Sequence, residues 1–122
     1  MTKAINEKQD ELQTLNMQKA LKRMAGKKHL LLKALNMFIG TSAQKIQSLK
    51  QIIDEKNQEK GRNEVHALKG TAVTLGAEKI GNLAKTIELA IKDNDFVRAS
   101  QLFQNLESEF VVLKNVIKNE EA

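Results

Sequence analysis

The sequence predicts an all-α protein, an antiparallel four-helix bundle with one or two short N-terminal helices covering one end. Three observations carry this. The 122 residues contain no Pro, the residue that interrupts helices, and no Trp or Tyr. Ala, Leu, Lys, Gln and Glu, which lose little side-chain freedom in a helix, are abundant. Apolar residues recur at three- and four-residue intervals, and the short connections between these runs make successive helices antiparallel neighbours.

Taken in order, residues 1–14 read as a polar leader or a frayed helical extension, residues 15–118 as one domain and residues 119–122 as a C-terminal tail. A first helix covers Leu15 to Ala25 and is closed by Gly26. A second runs from Lys28 to Ile39 with Leu31, Leu35 and Phe38 in one stripe. Gly40 then offers a stop, and Thr41 and Ser42 offer a new N-cap. A third, Ala43 to Lys56, turns Ile46, Leu49 and Ile53 inward. Residues 55–63, EKNQEKGRN, read as a polar loop or frayed end, after which a fourth helix continues to Gly76. The fifth spans Ala77 to Lys92 with Ile80, Leu83, Ile87 and Ile91 inward. KDND makes a turn with cap residues, and a last helix runs from Phe96 to Lys118. Met17, Met24 and Met37 read as core filler.

With 41% apolar residues the chain buries one core. Without Cys it has neither disulfides nor thiolate metal sites, and it suits a reducing compartment. No run approaches the ~18 apolar residues of a membrane span, and the first residues lack the apolar centre of a signal peptide. A cytoplasmic monomer is expected. The formal charge of +5 is uneven: Leu12 to Ile53 holds eight Lys and Arg and no Asp or Glu. Such a face attracts nucleic acid, an anionic membrane or an acidic protein, or is simply solvated. The nucleic-acid reading lacks aromatic stacking residues and a reading motif. His29 reads as an exposed residue at a helix start, and two isolated His without a carboxylate cluster argue against a metal site.

The segment HALKGTAVTLG, residues 66–76, puts Gly70 inside a helix, where glycine costs about 0.5–1 kcal/mol relative to alanine. On a helical wheel Val65, Leu68, Ala72 and Leu75 fall within about 80° of one another and mark the core side. His66 lies roughly 140° and Gly70 roughly 180° from that centre, so both face outward one turn apart, with Lys69 on the flank. Neutral imidazole is a nucleophile near pH 7. If it attacks phosphorus, the lysine compensates the charge gained, and the missing side chain at Gly70 lets a partner approach.

These residues, with TLGAEKIGNLAKTIELA after them and LKRMAGKKHLLLKALNMFI before, resemble the histidine-containing phosphotransfer (HPt) domain of bacterial and fungal phosphorelays. The resemblance spans roughly residues 16–117. It implies that His66 accepts a phosphoryl group from a receiver-domain aspartyl phosphate and passes it to another receiver aspartate, as the HPt domain of a hybrid sensor histidine kinase. By position it makes Lys69 the charge-compensating neighbour, Gly70 the clearance residue and Glu88 a residue that orients the imidazole. Arg62, Asn63 and Val73 are the expected docking residues, Val73 reading equally as an ordinary exposed apolar residue. Helix rise agrees for Glu88: His66 lies about 15 Å before the Gly76 turn and Glu88 about 18 Å after it. Its carboxylate also repels a phosphoryl group.

No cofactor is expected on this chain. Mg²⁺, usual in phosphoryl transfer, is expected on the receiver partner. The chain has neither a Gly-rich ATP signature nor room for a kinase domain, so it is not expected to phosphorylate itself from ATP. The alternative is a non-catalytic helical adaptor that binds receivers without relaying phosphate, and it leaves the His66, Lys69 and Gly70 set without a reason. A hydrolase using His66 as a general base needs an orienting acid and an enclosed pocket.

Overall fold

The computed structural model describes residues 11–122. It contains five helices: α1 Met17–Arg23, α2 Lys28–Asp54, α3 Gln58–Thr74, α4 Glu78–Lys92 and α5 Phe96–Glu121. Helices α2 to α5 pack as a closed ring, α2 on α3, α3 on α4, α4 on α5 and α5 back on α2. The all-α four-helix bundle is therefore present, with one short helix among the described residues, α1, across one end. The part of the expected leader that covers residues 1–10 lies outside the described residues.

The largest departure from the sequence expectation is at Gly40. The two helices expected on either side of it are one helix of 27 residues. Leu31, Leu35, Phe38, Ser42, Leu49 and Ile53 are all buried and continue one stripe in phase through the glycine. Ser42 satisfies its buried hydroxyl by donating to the carbonyl of Ile39 at 2.7 Å, and Thr41 donates to Phe38 at 3.3 Å. The hydroxyls thus bond back within the helix instead of capping a new one. The cost of one glycine, about 1 kcal/mol, is small beside the apolar stripe that stays buried. Phe38 of this helix meets Phe110 of α5 with ring centroids 5.4 Å apart.

The segment expected to be a loop, residues 55–63, is mostly helix. The Asn57 side chain accepts from the Lys60 backbone N–H and starts α3 at Gln58. A Cβ on Gly61 would stand 3.1 Å from Ile91 Cδ1, so this glycine permits the close approach of α3 to α4. Helix α5 runs through the expected C-terminal tail to Glu121. Residues 11–14 are not helical. They are clamped instead: Thr14 Oγ1 donates to Glu109 Oε2 at 2.7 Å, and the Lys79 N–H donates to the Gln13 carbonyl at 3.1 Å. Leu83, expected inward, is half-buried.

The α1 helix seats on the turn between α3 and α4. Gly76 adopts φ +80°, and a Cβ there would lie 2.7 Å from the Asn16 carbonyl oxygen. The Asn16 N–H donates to the Gly76 carbonyl at 2.7 Å. Glu78 gathers the rest of the clamp, accepting from the Gln13 N–H and from the Asn16 and Lys19 side chains. Burial pushes its carboxyl pKa up, but these three donors outweigh burial and hold it below the ordinary value. Arg23 of α1 donates to the carbonyls of Val73 and Thr74, closing the open C-terminal end of α3.

Candidate functional site

The site is built across α3 and α4. Val65, Leu68 and Ala72 bury the inner face of α3, and Ile80, Ala84, Ile87 and Ile91 bury that of α4. That packing fixes the rotation of both helices and turns His66 outward, its side chain 68% exposed. Glu88 follows Ile87 at the edge of the α4 core face and reaches back across the interface. His66 Nδ1 lies 3.1 Å from Glu88 Oε2, and Lys69 Nζ lies 3.4 Å from Glu88 Oε1. One carboxylate therefore holds both the imidazole and the ammonium. A carboxylate only accepts hydrogen bonds, so the network assigns the ring proton to Nδ1 and leaves the Nε2 lone pair available.

Gly70 is exposed on the same helix, and a Cβ placed on it would meet no heavy atom within 4 Å. No packing requires the glycine. Beside it a shallow apolar groove runs between α2 and α3, with Ala34, Met37 and Thr41 on one wall and Ala67, Thr71 and Thr74 on the other. Met37, expected in the core, is 65% exposed here. It lies off the Leu31, Leu35 and Phe38 stripe of α2, a signal already readable from the spacing within that segment. Met17 and Met24 do pack against the core.

The expected docking residues divide between two places. Arg62 and Asn63 line a polar cavity with His66 and Glu88. Val73 lines a separate cleft with Lys19, Arg23, Lys69 and Lys85. It is 49% exposed, and a Cβ on Gly81 of α4 would lie 3.1 Å from its Cγ2. His29 is exposed at the start of α2, remote in sequence from the site. Among the described residues no group of three or more His, Asp or Glu could hold a metal ion, and no helix is long and apolar enough to cross a membrane.

This geometry, an outward imidazole on a four-helix bundle with a cation and a glycine one turn on, is the arrangement expected of a phosphotransfer module. Residues 33–119 match the family model of the Hpt domain. The chain belongs to that family. Two solved structures share the fold. One is the histidine-containing phosphotransfer protein B (HptB) of Pseudomonas aeruginosa PAO1, with TM-score 0.79 and 20% identity over 88% of this chain and 93% of that one. The other is the HPT domain of an Hpt sensor hybrid histidine kinase from Shewanella, with TM-score 0.74 and 21% identity over 89% of this chain and 94% of that one. Comparison with curated proteins gives no match.

Proposed function

We propose that the chain is a phosphorelay intermediate in which His66 Nε2 takes a phosphoryl group from the aspartyl phosphate of one receiver domain and gives it to the aspartate of another. The observation that carries this is the Nδ1 contact to Glu88, which leaves Nε2 as the ring nitrogen open to a phosphoryl group. The lone pair of Nε2 forms the N–P bond as the P–O bond to the receiver aspartate breaks, and that electron pair leaves on the aspartate carboxylate. The Nδ1 proton stays on the ring, held by Glu88, so no proton is transferred. In the reverse direction the receiver aspartate forms the P–O bond as the N–P bond breaks, its electron pair returns to Nε2, and neutral imidazole is the leaving group.

Lys69 sits on the other oxygen of Glu88. In this reading it neutralises the carboxylate that orients the ring, so that Glu88 does not repel the incoming phosphoryl group. Gly70 and the groove between α2 and α3 supply the clearance and apolar surface on which a receiver docks. Mg²⁺ and the acidic pocket belong to the receiver. The basic first half of the chain steers toward that acidic surface. The reading includes a cytoplasmic setting and a place in a hybrid sensor kinase; the Shewanella relative is named as the HPT domain of a sensor hybrid histidine kinase.

The test is direct. Incubated with a phosphorylated receiver and Mg²⁺, the chain is expected to gain acid-labile, base-stable label on His66. Stable binding with all label retained by the receiver supports the adaptor reading instead.

A further inference from the structure

A phosphoryl group on Nε2 brings about two negative charges into the site. Among the described residues the one cation in contact there, Lys69, is already matched by Glu88, Nζ to Oε1 at 3.4 Å. Side chains on a helix lean toward its N-terminus, so the imidazole overhangs the turn that carries Arg62 and Asn63. The cavity beside the ring reflects this: Gln58, Glu59, Arg62, Asn63, Ala67 and Glu88 line it with His66, and Lys69 does not. Arg62, four residues before His66 and exposed, makes no ion pair among the described residues, although Glu59 lines the same cavity. A guanidinium presents paired N–H donors in a plane that suits two phosphoryl oxygens, and it stays charged at any working pH.

On the phosphotransfer reading of His66, we infer that Arg62 binds the phosphoryl group carried by Nε2, while Lys69 remains on Glu88. Arg62 is then part of the reacting site and contacts the transferred group in both directions of the relay. Asn63 offers an amide donor at the rim of the same cavity. The charges close: the His66, Lys69 and Glu88 set is neutral before the reaction, and Arg62 faces the charge that arrives.

The experiment uses phosphoramidate, a small donor that needs no docking surface, on the wild-type chain and on Arg62→Gln and Arg62→Lys. The N–P bond to His66 forms as the P–N bond of phosphoramidate breaks and ammonia leaves. The expected result is labelling about tenfold slower in Arg62→Gln, in the range of a lost charge-assisted hydrogen bond. A displaced ³¹P resonance of the phosphohistidine should accompany it. Arg62→Lys should recover part of both, because it restores charge without the planar fork. Melting temperatures measured on the same samples should agree, since the residue is exposed. Wild-type labelling with Arg62→Gln equal to it in rate and resonance overturns the role of Arg62 and leaves the phosphotransfer reading standing. Absence of label on the wild-type chain from phosphoramidate and phosphorylated receiver alike overturns both.

Discussion

Glu88 Oε2 lies 3.1 Å from His66 Nδ1, and its other oxygen lies 3.4 Å from Lys69 Nζ, so residues nineteen and twenty-two positions away on α3 share one carboxylate of α4. On the proposed function the carboxylate orients the imidazole, and the lysine offsets its repulsion of an anionic group. Substitutions at Glu88 separate these two effects. Glu88→Ala removes the acceptor for Nδ1–H and should slow labelling by phosphoramidate. Glu88→Gln keeps an oxygen that accepts from Nδ1 and frees Lys69, so it should stay nearer the wild-type rate and lengthen the phosphohistidine lifetime. Equal slowing by both would show that the negative charge, and not the hydrogen bond, is what the ring needs.

His66→Gln should abolish phosphate acceptance and leave the fold intact. The side chain is mostly solvated, so the change in stability should be no more than about 0.5 kcal/mol. Phosphorylation assays and thermal melts of the two proteins check both halves of the statement. Label on the variant would place the acceptor elsewhere.

Lys69→Ala should still accept phosphate, more slowly and with a shorter phosphohistidine lifetime, because it leaves the charge of Glu88 uncovered beside the phosphoryl group. The coupling is measurable. If Lys69 acts through Glu88, the double variant Lys69→Ala with Glu88→Gln should lose less than Lys69→Ala alone, a non-additivity expected of groups in contact. Single-turnover transfer gives the rates, and strict additivity would assign Lys69 to the phosphoryl group directly.

Gly70 tests clearance. Its Cβ position is open, so Gly70→Ala should gain up to about 1 kcal/mol of stability from helix propensity. Gly70→Gln should be as stable as wild type yet bind and exchange with receivers far more weakly, while phosphoramidate still labels His66. Receiver affinity and both labelling rates on one sample decide the matter, and normal receiver exchange by the glutamine variant would remove clearance as the reason for the glycine.

The clamp on α1 has a pH signature. Three donors hold the Glu78 carboxyl below its ordinary value despite burial, so its contribution is present above the unfolded-state value of about 4.3 and is lost as pH falls through the lowered folded value. Thermal melts of wild type and Glu78→Gln should differ at pH 7 and converge toward pH 3. A gap that persists at pH 3 would mean that packing, and not ionisation, carries the clamp.

The outward face of α3 was legible in the sequence because a single amphipathic helix is a local property. Val65, Leu68 and Ala72 define a core side by spacing alone, and His66 and Gly70 follow from it as exposed with Lys69 on the flank. The same locality made Gly40 misleading. Glycine followed by two hydroxyl residues is a genuine stop-and-cap signal over five residues, and it is outweighed by a buried stripe that runs from Leu31 to Ile53. The polar start of α3 misled for the same reason, since its Gly61 is there for Ile91, thirty residues later.

What the sequence by itself determined is therefore the helical class, the inward stripe of most helices and the identity of the exposed histidine, because each depends on residues within a few turns of one another. Only the tertiary structure decided which nitrogen of His66 meets Glu88, that Lys69 is already engaged, that Met37 walls a groove beside Gly70, and that Gln13 and Asn16 tie the start of α1 to the α3–α4 turn. Those outcomes depend on the rotation and separation of packed helices, set by how Ile80, Ala84 and Ile87 fit against Val65, Leu68 and Ala72. Spacing along one chain segment carries no information about that fit.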